Sequence, residues 1–365
     1  MAEKVLVTGA CGSIGPFVVR ELQANGYDVV ATDLPSADQR KVTGLDCEVR
    51  PADLLDLEQA REAMRGVDVV VHTAARMNLF MTRPEYELAN YRVTVTTCEA
   101  AADTGVRRFI HYSTADAYGP PRYCPVDEGH PFNPVGLYGL TKTFGEQAAM
   151  RCHRDRGLPI SVIRPSVVYG PSCAYVMGIL LGLPVLIKEM GVEELPVPRS
   201  GFKANAVHVE DVAAASVFLI GKDDAIGEAY NVADDTTLDL ADMLEVLLNS
   251  VGVRCRKVLP VPAPLVSMVV RAGAHLPRAF FTRCTGLLQR RWDSIVFSND
   301  LVPLFQPRLD PGITTFGRAD YIFDNSKLKA LGYQLRYPDF EEGWRESVRW
   351  YMENDWIPEY EQIDS

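Results

Sequence analysis

Short apolar runs recur through the first half of the chain, each ending in a glycine or polar turn and followed by apolar positions at helical spacing. Residues 4–8, 28–32, 68–75, 109–114 and 159–164 do not alternate apolar with polar, the pattern of strands buried on both faces. Between them, 15–25, 56–65, 85–103 and the stretch opening at Tyr138 predict helices, and Gly26 is placed to stop the first. Strand and helix alternate in this way up to residue 171, so the expected fold class is α/β, a doubly wound parallel sheet. Beyond 171 the pattern changes. Residues 172–187 hold no charge, and 246–292 hold no acid but include Arg254, Arg256, Lys257, Arg271, Arg278, Arg283, Arg290 and Arg291.

Composition narrows the function classes. A formal net charge of −11 over 365 residues, with no basic tail, argues against a general nucleic-acid binder. Eight cysteines without a C-x-x-C pair suit a reducing compartment and give neither a disulfide framework nor a metal site. The opening Met1-Ala2-Glu3-Lys4 runs directly into the first strand, so no signal peptide is expected, and no apolar run reaches the length of about 18–20 residues that spans a bilayer. The expected location is the cytoplasm.

Candidate chemistry begins at residues 8–15, T-G-A-C-G-S-I-G. Gly9, Gly12 and Gly15 allow a tight turn, close backbone approach and close helix–strand packing. Together with Ser13 and Ile14 they leave free N–H groups at a helix N-terminus, where a pyrophosphate binds. Asp33 ends the second strand, about 20 residues on, where a carboxylate accepts hydrogen bonds from an adenosine ribose and repels a 2′-phosphate. NAD is therefore favoured over NADP. Asp53, with Leu54, can meet the adenine edge or begin the next helix. Ala74 and Ala75 close the strand at 68–75 with small residues that let a dinucleotide pass. His72 reads as hydrogen-bonded scaffolding, and Asn90 as a residue that orders the strand ends.

The stretch at 109–142 carries the reaction chemistry. An aromatic strand ends in hydroxyls at Ser113 and Thr114, and Tyr138 and Lys142 lie four residues apart on one helix face. A nearby ammonium is expected to lower the tyrosine pKa, and Thr114 to hold a substrate oxygen against the phenol. In a doubly wound sheet the glycine loop, Asp33, Ala74, Thr114 and Pro165 all fall at the carboxyl ends of strands, which is one crevice.

With these segments in hand, the chain resembles the extended short-chain dehydrogenase/reductase superfamily of the NAD-dependent epimerase/dehydratase type. Further matching stretches are Y-S-T-A-D-A-Y-G at 112–119, Y-G-L-T-K at 138–142, R-P-S-V-V-Y-G-P at 164–171, H-V-E-D-V-A at 208–213 and D-N-S-K-L-K-A-L-G-Y at 324–333. The resemblance implies a Rossmann domain from 1–171 plus 206–235 and a smaller substrate lobe from 172–205 plus 236–365. It implies catalysis by Thr114, Tyr138 and Lys142, with Tyr138 as general acid/base and Lys142 also holding the nicotinamide ribose. Pro165 and Val167 would face the nicotinamide, and a homodimer is expected. Thr114-Ala115-Asp116 departs from the Thr-Asp-Glu of the family's dehydratases, which argues against dehydration. The K-A-N-A-V-H-V-E-D-V-A wording at 203–213 is most similar to the 3β-hydroxysteroid dehydrogenase branch, which includes sterol-4-carboxylate decarboxylating enzymes. This implies oxidation of a secondary alcohol, or reduction of the ketone, on a sterol-like or long-chain substrate. A 4-carboxylate β to the new ketone would then be lost as carbon dioxide. An NDP-sugar 4-epimerase using the same three residues is the alternative, and a non-catalytic NAD-binding scaffold is a third reading. The charge-free and basic stretches predict a hydrophobic substrate, and 246–292 predicts either a peripheral membrane contact or a lid whose arginines pair with acids elsewhere.

Overall fold

In a computed structural model, the structure describes residues 2–78, 81–259, 268, 272–273, 276–309 and 319–363. Seven strands build one sheet: β1 (Lys4–Thr8), β2 (Asp28–Thr32), β3 (Glu48–Val49), β4 (Val69–His72), β5 (Arg108–Tyr112), β6 (Ile160–Pro165) and β7 (Ala229–Val232). Their order is β7-β6-β5-β4-β1-β2-β3, and every neighbouring pair is parallel. The chain winds outward from β1 to β3, then crosses back to β4 and winds the other way. A crevice therefore opens between β1 and β4 at the carboxyl edge. The register sets Thr8 opposite both Thr32 and His72, and His72 opposite His111, so the strand ends lie level.

Alternate residues of each strand feed two cores, as a pleat requires. Val5, Val7, Val29, Ile110 and Ile163 face one, beneath the Gly15–Ala24 and Val209–Ile220 helices. Leu6, Val30, Val70, Phe109 and Val162 face the other, where Ala60, Ala100, Ala101 and Ala149 bring helices close. Fully burying one such valine or leucine stabilises the fold by roughly 1.5–3 kcal/mol, which is why apolar residues dominate these runs.

The helices differ from expectation at their ends. The helix expected at 56–65 is Leu57–Ala63, because the Asp56 carboxylate caps it by accepting from the N–H groups of Glu58 and Gln59. The helix expected at 85–103 is broken in character: Arg83–Tyr86 and Val93–Thr104 are α-helical, and Glu87–Arg92 between them is a π turn. Strand 68–75 is shorter, Val69–His72, leaving Thr73 to Ala75 as loop.

After Pro165 the chain leaves the sheet. Val167–Tyr169 pairs in parallel with Ala206–His208 before the chain returns to β7. The charge-free stretch at 172–187 becomes the Ala174–Leu180 and Gly182–Glu189 helices. Met177, Leu181, Val185 and Leu186 are buried in the main core, so these side chains serve packing. Farther on, Arg254–Leu259 pairs in parallel with Glu194–Pro198, and Trp344 of the Phe340–Glu353 helix is fully buried, its indole N–H donating to Ser250 Oγ at 3.0 Å.

The basic stretch divides into two kinds of charge. Arg256 pairs with Glu194, and Lys257 with Asp242 and Glu245. Arg283, Arg290 and Arg291 are exposed on the Arg278–Ser298 helix and, among the described residues, meet no carboxylate. Arg271 lies outside the described residues. Among the described residues, no helix is long and apolar enough to cross a membrane.

Candidate active site

The glycine loop is shaped by backbone contact. Gly9 has φ +65°, and a Cβ there would meet the Ala74 Cα at 2.7 Å. A Cβ on Gly15 would meet the Gly9 carbonyl oxygen at 2.5 Å and the Ala10 Cα at 2.6 Å. Both positions exclude any side chain. The loop is drawn toward β2, since the Cys11 N–H donates to Asp33 Oδ2 at 2.9 Å and the Leu34 N–H to Asp33 Oδ1 at 2.8 Å. Asp33 keeps part of its surface exposed. Asp53 stands next to it, because the Ala52 N–H donates to the Asp33 carbonyl at 2.9 Å. The Asp53 carboxylate accepts from the Leu55 N–H at 3.0 Å, and Leu54 is buried. Helix capping thus falls to Asp56, not Asp53.

The exit of β4 is tied to β1 by short polar links. Thr73 Oγ1 donates to the Thr8 carbonyl at 2.6 Å, and the Ala74 N–H donates to Thr8 Oγ1 at 3.3 Å. His72 is fully buried between Thr8 Oγ1 at 2.8 Å and Thr94 Oγ1 at 3.2 Å. Burial, with the Lys142 ammonium nearby, drops its pKa to about 3, so the ring stays neutral and holds two elements together. Asn90, in the π turn, takes the Arg76 N–H on Oδ1 at 2.7 Å. It returns Nδ2 to the Arg76 carbonyl at 3.1 Å and to Thr141 Oγ1 at 3.3 Å. One amide therefore joins the loop after β4 to the helix that carries Tyr138.

Thr114 follows β5 and caps a short turn, Ala115–Tyr118, by accepting from the Asp116 N–H at 3.2 Å. Tyr138, Lys142 and Glu146 repeat at four-residue spacing along the Leu137–Arg156 helix. The Tyr138 phenol lies near enough to the Thr114 side chain for that hydroxyl to favour the phenolate. Crowding by protein raises its pKa above the ordinary 10, the Asp116 carboxylate raises it further, and the Thr114 contact pulls it down. Lys142 is not among the groups that set it. Its ammonium is buried and donates to the Tyr112 carbonyl, and desolvation brings its pKa to about 8, with Glu146 opposing. The Tyr138 pKa is thus shifted upward, against the expected lowering. Asp116, more than Lys142, is the charge the phenol feels.

Asp116 was not singled out in the sequence as a neighbour of Tyr138, and Gly139 explains its place. A Cβ on Gly139 would meet Asp116 Oδ2 at 2.6 Å and the Asp116 carbonyl oxygen at 2.8 Å. The carboxyl opens onto the cleft, yet the surrounding protein still raises its pKa, and a backbone hydrogen bond at Gly139 offsets part of that. Beneath the site lies a buried network also absent from the sequence reading. Arg164 pairs with Glu146, donates from Nη1 to Tyr118 Oη at 2.7 Å and to the Glu128 carbonyl at 3.0 Å, and the Tyr118 hydroxyl donates to Asn231 Oδ1 at 2.7 Å. The signal for it was the Glu146 position, one helical turn past Lys142.

A dinucleotide suits this edge on the structure's own terms. The glycine cradle admits no Cβ, and the Ser113 and Ser166 hydroxyls at the ends of β5 and β6 are buried without a partner among the described residues. The Lys142 ammonium has three protons and a single hydrogen-bond acceptor among the described residues. Pro165 ends β6 and Val167 follows it, partly exposed, whereas Ala75 is exposed at the mouth of the crevice.

Residues 5–233 match the NAD dependent epimerase/dehydratase family. The chain is 27% identical to a 4-hydroxy-2-methyl-3-oxo-4-farnesyl-3,4-dihydroquinoline-1-oxide ketoreductase of Stigmatella aurantiaca, covering 91% of this chain and 92% of that protein. It is 28% identical to a UDP-glucose 4-epimerase of Drosophila melanogaster, over 68% of this chain and 82% of the relative. Among solved structures, a dTDP-glucose 4,6-dehydratase of Streptomyces venezuelae with NAD bound superposes with a TM-score of 0.71 at 23% identity, covering 97% of this chain and 99% of that one.

Proposed function

From a chain that belongs to the NAD dependent epimerase/dehydratase family, we propose an NAD-dependent oxidoreductase that interconverts a secondary alcohol and its ketone on a substrate with an apolar body. The observation that carries the chemistry is the Tyr138 phenol set against the Thr114 hydroxyl at the carboxyl edge, beside a glycine loop that no side chain can fill. Gly9, Gly12, Ser13, Ile14 and Gly15 would hold the NAD pyrophosphate, Asp33 the adenosine ribose, and Lys142 the nicotinamide ribose. Asp53, Leu54, Ala74, Ala75, Asn90, Pro165 and Val167 would line its path. NAD supplies the acceptor or donor of a hydride at the carbinol carbon.

The protein's own part is to place and move one proton. Thr114 orients the substrate oxygen, and Tyr138 takes the hydroxyl proton on oxidation or returns it to the carbonyl oxygen on reduction. Because burial and Asp116 raise the Tyr138 pKa, the phenol is protonated at neutral pH and poised as an acid. Reduction therefore runs well at neutral pH, and oxidation speeds up as pH rises. Lys142, pinned on the Tyr112 carbonyl, keeps a positive charge under the site below about pH 8.

The Stigmatella relative, matched nearly end to end and named for a farnesylated substrate, supports the apolar body. The resemblance of 203–213 to the 3β-hydroxysteroid dehydrogenase branch supports a sterol-like alcohol, including one whose oxidation permits loss of a β-carboxylate. The second reading, a UDP-sugar 4-epimerase, is favoured by the Drosophila relative. Absorbance at 340 nm with 3β-hydroxysterols, long-chain β-hydroxy acids and UDP-sugars separates the two. Turnover of a lipid alcohol, reduced about 10²–10⁴-fold in Tyr138→Phe, is the expected result. Interconversion of UDP-sugars without net NADH would overturn it in favour of the epimerase.

A further inference from the structure

We propose that the outward face of the Arg278–Ser298 helix docks on an anionic lipid surface. The helix is 21 residues long and anchored from inside by Phe281, Trp292 and Ile295, all buried. Trp292 packs edge-on against Phe305 with ring centroids 5.2 Å apart. At about 100° per residue, Arg283, Leu287, Arg290 and Phe297 fall on the opposite arc, and Phe280 and Arg291 on its flank. All six are exposed, Leu287 at 64% and Phe297 at 90%. Asp293, the acid of this helix, is exposed about 40° from Phe297 on the outward side, three residues past Arg290, and forms no ion pair with it. A phenyl ring with nine-tenths of its surface in water gains by transfer to an acyl boundary, and arginines among such rings keep their guanidinium groups at headgroup level.

Charge selects the occupant. Arg283, Arg290 and Arg291 have no carboxylate partner among the described residues, although the chain carries a net −11. A second copy using the same face in a two-fold contact would set each trio of arginines against the other. An anionic membrane supplies the missing counter-charge, and the acidic remainder of the surface is repelled, so only this face makes contact. The site described above is not involved, and the inference holds whichever substrate is correct.

Sedimentation of the full chain with phosphatidylcholine vesicles, and with vesicles in which about a third of the lipid is phosphatidylserine, tests this directly. Binding to the phosphatidylserine vesicles alone is expected, falling as salt is raised to screen the surface charge. The triple variant Arg283→Gln/Arg290→Gln/Arg291→Gln should bind about 100-fold more weakly, and Phe297→Ser about tenfold more weakly, with melting temperatures unchanged. Absence of vesicle binding by the unaltered chain, or equal binding by the triple variant, overturns the proposal. If light scattering instead reports a dimer that Phe297→Ser splits, without vesicle binding, the face belongs to a second copy. Binding of poly-glutamate but not vesicles would assign it to an acidic protein.

Discussion

Two arginine environments in this chain lie at opposite extremes. Arg164 is buried, pairs with Glu146, donates to Tyr118 and to the Glu128 carbonyl, and has aromatic rings of Tyr118 and Phe132 within 5.2 Å and 4.8 Å of its guanidinium. Arg290 is exposed and, among the described residues, pairs with no acid. The first charge is held by the fold and the second is left for something outside it. A positive residue therefore says little about role until its partners are known. Buried charge requires satisfied partners and makes the structure depend on each of them, whereas exposed charge can change with little effect on folding.

That contrast can be broken at several points. Glu146→Ala should be the most damaging to stability, because it strands the Arg164 guanidinium in the interior. A loss of about 3–5 kcal/mol in denaturant unfolding is expected, and a loss below 1 kcal/mol would mean that water reaches the pair. Lys142→Met tests a charge buried without an ion pair. The Lys142 pKa falls from 10.5 to about 8 on folding. Between these values the unfolded chain holds a proton that the native chain has released, so its contribution to stability rises with pH across about 8 to 10.5 and is flat below. The variant should lack that rise, worth about 3 kcal/mol at the top of the window, when unfolding of both proteins is compared pH by pH. Asn90→Ala removes the partners of the Arg76 N–H and carbonyl and should lower stability by about 1–3 kcal/mol. Loss of protection at the Arg76 amide in hydrogen exchange would locate the damage. Phe297→Ser should change unfolding by less than about 0.5 kcal/mol, since the ring touches mostly water. A larger change would mean that the exposed face is part of the fold after all.

The central sheet was legible because its strands are buried on both faces and sequence shows this as apolar runs without strict polar alternation. The glycine loop was legible because Gly9 and Gly15 answer steric demands that no other residue meets. The spacing of Tyr138 and Lys142 placed both on one helix, but their electrostatics were not legible. Which charge governs a phenol depends on distances across the fold, and Asp116 reaches Tyr138 only because Gly139 lacks a side chain. The stretch at 172–187 shows a similar limit. Its apolar residues were as compatible with a substrate wall as with a core, and contact with the main core decided it. In the basic stretch, periodicity alone did not distinguish Lys257, paired with Asp242 and Glu245, from Arg290, which has no such partner.

The π turn at Glu87–Arg92 has a consequence for how this protein tolerates changes of length. A wider turn inserts angular slack into an otherwise regular rod, shifting everything downstream by about 100° for each residue added. Upstream of the shift, the helix is fixed by the Thr82–Glu85 capping box; within and beyond it, Asn90 grips the loop after β4 and Thr94 meets His72. Deleting one residue there would leave a perfectly good helix whose two halves no longer address their neighbours together. Helical content by circular dichroism would survive such a deletion, and the alignment of the crevice would not.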